Sequence, residues 1–299
     1  MIELFNTNKT SLYSWEKEGL ITPVYKNGAK YFSLDSIKFL RKKKEILPPK
    51  KKIQVFSNIK GGVGKSTLSA QYLMMASMLG MKCLAIDLDA QSHLTYQLGE
   101  EAEDSTPSIY DALIDGKPIE DSIISVSPSI DLIPSSLRLS TIEISLINLR
   151  KREFRLKENI DKIKDNYDLI VADTNPAITI LNLNMYIAAD LINIICASDY
   201  LSYSGLKLML DQIVELKKDF NLQNDILIIP NMYDHRNGIC QRALGAIRNH
   251  YSELISNTII RENTALRDAT QLMNSIFFVK RKSNGKEDVF DMTKELLER

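Results

Sequence analysis

A glycine-rich turn that contains two lysines is the stretch whose residue types best support chemistry. The turn comprises the predicted nucleotide-binding residues Lys60, Gly61, Gly62, Val63, Gly64, Lys65, Ser66 and Thr67. Glycines let backbone N–H groups close around phosphate oxygens, and the N-terminus of a following helix adds partial positive charge. We expect Lys65 to contact the β- and γ-phosphates of a nucleotide and the Ser66 hydroxyl to ligate Mg²⁺. The alternative is a turn that only joins a strand to a helix.

Three aspartates at predicted strand ends supply the acidic part of such a site. Asp87 and Asp89 end one apolar run, and Asp173 ends another. Carboxylates at positions i and i+2 of a strand point to the same face, and ligands of open α/β sheets bind at the carboxyl ends of strands. A phosphate-loop enzyme requires a second acid beside its Mg²⁺, at the end of a hydrophobic strand, and Asp173 is in such a position. Acids that simply open a loop are the alternative in each case.

Lys60 distinguishes this turn from the strict phosphate-loop pattern. That pattern has glycine five residues before Gly64, where this chain has Ile59, whereas Lys60 stands directly before the paired glycines. In this respect the turn resembles the deviant phosphate loop of the ParA/MinD family of ATPases. The resemblance implies that ATP and Mg²⁺ are the cofactors. It also implies that Lys60 reaches across a nucleotide-sandwich homodimer to the partner subunit's phosphates.

Two further motifs carry the same resemblance. The stretch 87–91 is similar to the family's Asp-x-Asp-Pro-Gln with Ala90 in place of proline, and in the stretch 173–176 Asn175 replaces the first of two prolines. The implied catalytic residues are Lys60, Lys65 and Asp89, of which Asp89 orients or polarises the attacking water. The implied metal-binding residues are Ser66, Asp87 and Asp173. Asn231 is placed near the adenine, because the stretch 231–234 resembles the family's base-binding turn.

From residue 53 onward the chain alternates strand-like and helix-like patterns. Buried strands are predicted around 53–56, 82–88, 130–135, 167–173, 191–197 and 225–231. Helices are predicted at 68–79, 108–116, 137–147, 154–163, 206–216 and 287–299. This alternation predicts an α/β fold with a mainly parallel sheet and helices on both faces. With the phosphate loop, it is the fold of a P-loop NTPase.

The chain divides at a stretch rich in proline and lysine. Residues 48–52 form the predicted linker, because prolines end helices and extend the chain. The linker separates a unit at 1–47 from a domain at 53–299. The whole chain has 38 basic and 38 acidic residues, but residues 1–52 hold twelve Lys or Arg and only five Asp or Glu. We therefore expect an anionic partner at the N-terminal end.

The N-terminal unit has the pattern of a small DNA-binding domain. Helices are predicted at 2–5 and 10–18, and Asn27-Gly28 between aromatic-flanked runs predicts a hairpin. Ser33 can cap a last helix. This order resembles the winged helix-turn-helix of the MerR family and the N-terminal helix-turn-helix of larger plasmid-partition ParA proteins. The alternative is a small packing or interaction domain.

Basic side chains at both ends of the chain are candidates for contact with DNA phosphates. They are Lys9, Lys17, Lys26 and Lys30 in the N-terminal unit and Arg267, Lys280, Arg281 and Lys282 near the C-terminus. Phosphate contacts position a protein on DNA without specifying sequence. Each of these residues is alternatively an ordinary solvated cation.

Composition predicts a cytoplasmic protein. No apolar run approaches the ~20 residues of a membrane span, and the N-terminus lacks the apolar core of a signal peptide. The helix at 287–299 is acidic, which favours docking on the body over binding to anionic lipid. Three cysteines with no metal-site or disulfide spacing, Cys83, Cys196 and Cys240, are predicted to be buried structural thiols.

The resemblance favours a ParA-type partition ATPase associated with the nucleoid. It implies an ATP-bound dimer that binds DNA non-specifically and a ParB-like adaptor protein that stimulates slow hydrolysis. One alternative is a transcriptional regulator that uses ATP as a switch and represses its own operon through residues 1–47. Another is a positioner of a protein cargo or a MinD-like membrane ATPase. The cargo, the operator sequence and the partner's identity are not encoded in these motifs.

Overall fold

The computed structural model describes residues 5, 7–26, 29–101, 103, 105–279 and 282–299, without the side chains of residues 26, 29, 31 and 200–203. Its first elements are α1 (Lys9–Lys17), β1 (Pro23–Lys26), β2 (Ala29–Phe32) and α2 (Leu34–Lys43). Side chains of Asn8 and Ser33 cap the two helices, and β1 and β2 pair antiparallel. The predicted short helix, hairpin strands and capped helix are therefore present. The predicted turn at Asn27-Gly28 and residues 2–4 of the predicted first helix lie outside the described residues.

A seven-stranded sheet forms the centre of the protein. Its strands are β3 (Ile53–Ser57), β4 (Cys83–Leu88), β5 (Ile124–Ser127), β6 (Ile130–Ile133), β7 (Leu169–Thr174), β8 (Leu191–Ala197) and β9 (Asp225–Asn231). Their order is β5-β6-β4-β7-β3-β8-β9, and only the edge strand β5 runs antiparallel to its neighbour. The mainly parallel sheet is confirmed, and β5 is a strand that the sequence analysis missed.

Helices cover both faces of this sheet, as predicted. They are α3 (Lys65–Met78), α4 (His93–Gln97), α5 (Ile109–Leu113), α6 (Ile142–Ile147), α7 (Arg155–Ile163), α8 (Ile180–Ala188), α9 (Tyr200–Asp219), α10 (Gly238–His250), α11 (Thr264–Gln271) and α12 (Asn284–Glu298). One buried cluster packs the helices α5 through α9 against one face of the sheet. A second cluster packs α3, α4, α11 and α12 against the other face. Helix α8 was missed because it is apolar almost all round, a pattern that does not distinguish a buried helix from a strand.

The N-terminal elements pack against the body formed by residues 53–299, at the end opposite the glycine-rich turn. Leu40 of α2 is fully buried in a cluster with Leu79, which follows α3, and with Leu297 of α12. The Arg41 guanidinium donates to the Gly80 carbonyl oxygen and pairs with Asp168, both at 3.2 Å. This contact lies at the opposite end of α3 from the glycine-rich turn.

The C-terminal helix docks on the body, as the acidic tail predicted. Val289, Met292 and Leu296 of α12 are buried against α3 and its neighbours. The three cysteines are free and buried, which confirms the prediction of structural thiols. Among the helices in the described ranges, none combines the length and the apolarity that crossing a membrane would require.

Candidate nucleotide-binding site

The glycine-rich turn joins the end of β3 to the start of α3. Gly64 has a φ of 91°, the left-handed conformation that glycine adopts without strain. A Cβ at Gly64 would collide with the side-chain amide of Asn231. That amide donates to the Val63 carbonyl oxygen at 2.7 Å. Two separately predicted stretches are thus in contact, and Asn231 supports the turn.

Lys65 is buried at the first position of α3. Burial lowers the pKa of Lys65, and the negative charges of Asp173 and Asp89 oppose this change. The ammonium group therefore lies within electrostatic reach of two of the predicted acids. At the N-terminus of a helix, such a group adds to the positive end of the helix dipole.

Asp87 organises the loop that follows β4. Its Oδ2 accepts hydrogen bonds from the Thr95 N–H and hydroxyl, both at 2.8 Å, and its Oδ1 accepts from the Asp89 N–H at 3.1 Å. Burial raises the pKa of Asp87 to about 6, and the bonds from Thr95 oppose the rise. The Thr95 hydroxyl also accepts from the Ser135 N–H at 3.1 Å. Thr95 was not predicted, because an isolated threonine carries no motif.

Asp173 is buried at the end of β7, and within the described ranges no donor forms a hydrogen bond to either of its carboxylate oxygens. Burial raises the pKa of Asp173 well above its ordinary value, and the charge of Asp87 adds to this rise. The nearby Ser66 hydroxyl and Lys65 act in the opposite direction. A buried carboxylate with so few donors, next to a serine hydroxyl, suits a hard cation with oxygen ligands.

The set of oxygen donors fits Mg²⁺ in particular. In the part of the chain that the structure describes, no three His, Cys, Asp or Glu side chains converge as a complete metal cage. Mg²⁺ does not require such a cage, because it keeps several waters and takes one or two carboxylates together with substrate phosphates. Ser66 and Asp173 are the residues that would hold the ion, and Asp87 would support the ligand shell around it.

A cavity of about 300 Å³ opens beside the turn, at the carboxyl end of β9. Its walls are Gly64, Thr67, Leu68, Asn231, Met232, Arg261, Glu262, Asn263, Leu266, Arg267, Thr270 and Gln271. The predicted adenine residue Asn231 forms part of this wall. The structure brings the loop at 261–263 opposite the turn.

The loop after β7 is held by one buried amide. Asn182 Nδ2 lies 2.8 Å from Asn175 Oδ1, 3.1 Å from the Asn175 carbonyl oxygen and 2.7 Å from the Ala177 carbonyl oxygen. Pro176 lies against Gly61. Asn175 replaces a proline of the family pattern, and Asn182 compensates by fixing the loop. A buried asparagine in the apolar helix α8 was a signal that the sequence analysis overlooked.

Lys60 lies on the other side of the turn and pairs with Asp199, at 2.9 Å. The Lys60 side chain is 37% exposed, whereas Lys65 and the three aspartates are buried. Asp199, which follows β8, was not singled out from the sequence.

The candidate DNA-contacting residues are dispersed. Lys9 and Lys17 are exposed on α1, and Lys282 is exposed before α12. Lys30 pairs with Glu16, and Arg267 pairs with Glu262. The Lys26 side chain and residues Lys280 and Arg281 lie outside the described residues.

Comparisons with known proteins agree with this geometry. A family model described as an AAA domain matches residues 51–228. The cell division protein PomZ of Myxococcus xanthus is 34% identical over 82% of this chain and 78% of its own length. The chromosome-partitioning ATPase Soj of Treponema pallidum is 33% identical over 73% of this chain and 86% of its own length.

A solved ATP complex of Cyanothece McdA has the same fold. It superposes with a TM-score of 0.76 at 25% identity and covers 83% of this chain and 97% of McdA. The range matched by the family model contains the glycine-rich turn and the three buried aspartates. The chain therefore belongs to the ParA-type family of P-loop ATPases.

Proposed function

We propose that this chain binds ATP with Mg²⁺ at the glycine-rich turn, hydrolyses the ATP, and pairs with a second copy while ATP is bound. The observation that carries the proposal is that Lys65 and Asp173, which come from motifs more than a hundred residues apart, are both buried and lie within electrostatic reach of each other. A buried ammonium group beside buried carboxylates is complementary to a magnesium triphosphate, because the ammonium group would attract the phosphate oxygens and the carboxylates would attract Mg²⁺.

The residues have distinct roles in this reaction. Backbone N–H groups of the turn and Lys65 hold the phosphates and stabilise the charge that develops on the transferred phosphoryl group. Asp89 orients the attacking water. Mg²⁺, when bound through Ser66 and Asp173, supplies further charge neutralisation. Lys60 adds a second cation from the partner subunit, so that hydrolysis requires two chains.

The paired form would bind DNA non-specifically and, with a ParB-like adaptor, drive partition of a plasmid or chromosome. Support for this step comes from the family, since the Treponema relative is a chromosome-partitioning ATPase. Exposed Lys282, near the C-terminus, is an available phosphate contact. Binding of this type weakens steeply with salt, because phosphate contacts release counterions.

Phosphate release and light scattering test the proposal. We expect the chain to hydrolyse ATP slowly, to double its mass with ATP and Mg²⁺, and to sediment with any duplex DNA. Lys65→Ala should lose nucleotide binding, whereas Lys60→Ala should bind ATP but remain a single chain. A Lys60→Ala variant that pairs and hydrolyses normally would contradict the mechanism.

A second candidate function is operator binding through the N-terminal unit. The observation that favours it is the exposed face of α1, where Lys9 and Lys17 flank Tyr13, whose side chain is 69% exposed. Cations that flank an aromatic side chain on one helix face suit contact with DNA. This surface belongs to the unit docked at the far end of α3 from the nucleotide site, so both functions can coexist.

Footprinting on the DNA upstream of the chain's own gene tests this second function. Deleting residues 1–47 is an unsuitable variant, since it would uncover Leu79 and Leu297. Tyr13→Ala with Lys9→Ala leaves that packing intact. Loss of one short protected site, with ATPase activity unchanged, would support operator binding. Unchanged protection, or no protected site in the wild-type protein, would exclude it.

A further inference from the structure

Asp199 forms an ion pair with Lys60 through both oxygens of its carboxylate. Lys60 Nζ lies 3.0 Å from Asp199 Oδ1 and 2.9 Å from Oδ2. The two side chains are partly open to solvent, with 37% and 40% of their surfaces exposed. Asp199 lies outside the three motifs and follows β8, which is the neighbour of β3 in the sheet.

Further contacts hold the same corner of the protein together. The Lys60 N–H donates to Asn58 Oδ1 at 2.9 Å, and the Asn58 amide donates to the Ile195 carbonyl oxygen in β8 at 2.6 Å. The Ile59 side chain lies over Gly205 of α9. The backbone before the paired glycines is therefore anchored to β8 and α9, which places Lys60 within reach of Asp199 of the same chain.

We propose that Asp199 is a positioning residue that retains Lys60 in the ATP-free single chain and thereby sets the ATP concentration at which two chains pair. The inference rests on the proposed function, in which Lys60 contacts the partner subunit's phosphates. A carboxylate and a triphosphate repel each other, so Lys60 exchanges one anion for the other. Pairing then requires the loss of this ion pair in both chains.

The expected size of the effect follows from the exposure of the pair. Partly exposed ion pairs stabilise only slightly, equivalent to at most about a fivefold change in an equilibrium constant. Because two such pairs are lost per dimer, removing them should favour pairing by up to about 25-fold. Salt screens exposed charges, so the effect should shrink as ionic strength rises.

The test compares Asp199→Asn with the wild-type chain in ATP titrations followed by light scattering. Asparagine keeps the shape of the side chain and removes its charge. We expect Asp199→Asn to pair at a lower ATP concentration than wild type at low ionic strength, with the difference lost at high ionic strength. The control is Asp211→Asn, which removes an exposed carboxylate from α9 and should change nothing. A need for equal or more ATP in Asp199→Asn would overturn the inference.

A second measurement does not depend on pairing. Acylation of Lys60 in the ATP-free protein, followed by mass spectrometry, reports whether the ammonium group is retained. We expect Lys60 to react several times faster in Asp199→Asn than in wild type, and equally in Asp211→Asn. An unchanged rate would show that Asp199 does not hold Lys60. If the wild-type chain fails to pair with ATP, the proposed function fails and the role assigned to Asp199 in pairing fails with it, even where acylation detects the ion pair.

Discussion

Asp87 and Asp173 occupy paired positions on the neighbouring parallel strands β4 and β7, and both carboxylates are fully buried. Burial raises the pKa of each. The charge of Asp87 raises the pKa of Asp173 further, and the charge of Asp89 adds to the rise at Asp87. The two acids therefore destabilise the fold when they are ionised. Lys65 offsets part of this cost, and a bound divalent cation would offset more.

Asp173→Asn should stabilise the protein in the absence of nucleotide and Mg²⁺. The folded-state pKa of Asp173 lies above its unfolded value, so wild type loses stability as pH rises from the unfolded pKa through the folded one. We therefore expect a higher midpoint of thermal unfolding for the variant at pH 8 and no difference near pH 3. Each kcal/mol gained corresponds to roughly 2–4 °C in a chain of this size. Hydrolysis should be lost.

Asp219→Asn is the matched control, since Asp219 is exposed and its removal should leave the midpoint unchanged. An Asp173→Asn protein that melts at or below the wild-type temperature at pH 8 would show that the buried carboxylate carries no such cost.

Gly64→Ala should weaken nucleotide binding by at least about tenfold, which corresponds to ~1.4 kcal/mol of strain in the turn. Its φ of 91° disfavours any side chain, and the new methyl group would displace Asn231. Titration with a fluorescent ATP analogue measures the change. Gly245→Ala in α10 is the control, because a methyl group there meets open space and should leave affinity unchanged. Equal affinities for both variants would refute the steric argument.

Leu40→Ala should lower the free energy of unfolding by about 2–4 kcal/mol, the usual cost of truncating a buried leucine. Because Leu40 packs against Leu79 and Leu297, we expect one cooperative transition in denaturant titrations rather than separate melting of residues 1–47. Leu47→Ala, at a side chain that is 74% exposed, should be almost neutral. Two resolved transitions in wild type would mean that the N-terminal unit folds independently.

Asn182→Ala should slow hydrolysis by about tenfold or more while changing the KM for ATP little, because displaced catalytic groups cost rate more than binding. The variant loses the amide that holds Asn175 and Ala177 beside the turn. Steady-state kinetics separate the two parameters. Asn249→Ala, at an exposed position of α10, should leave both unchanged. A rise in KM with normal kcat would assign Asn182 to binding instead.

Much of the site was predictable because its signals are local. The glycine spacing before Lys65 sets the turn, and apolar runs that end in Asp87 or Asp173 place acids at the carboxyl ends of strands. The helix caps at Asn8 and Ser33 are likewise encoded within a few residues. Such features depend on neighbouring residue types alone, so they can be inferred before any packing is known.

The partners of these residues depended on the sheet order, which no local pattern encodes. Because β3 lies between β7 and β8, the turn that follows it has Asp173 on one side and Asp199 on the other. The same assembly brings Asn231 to Val63 and Arg41 to Asp168. These contacts join residues more than a hundred positions apart, so only the folded chain determines which groups meet.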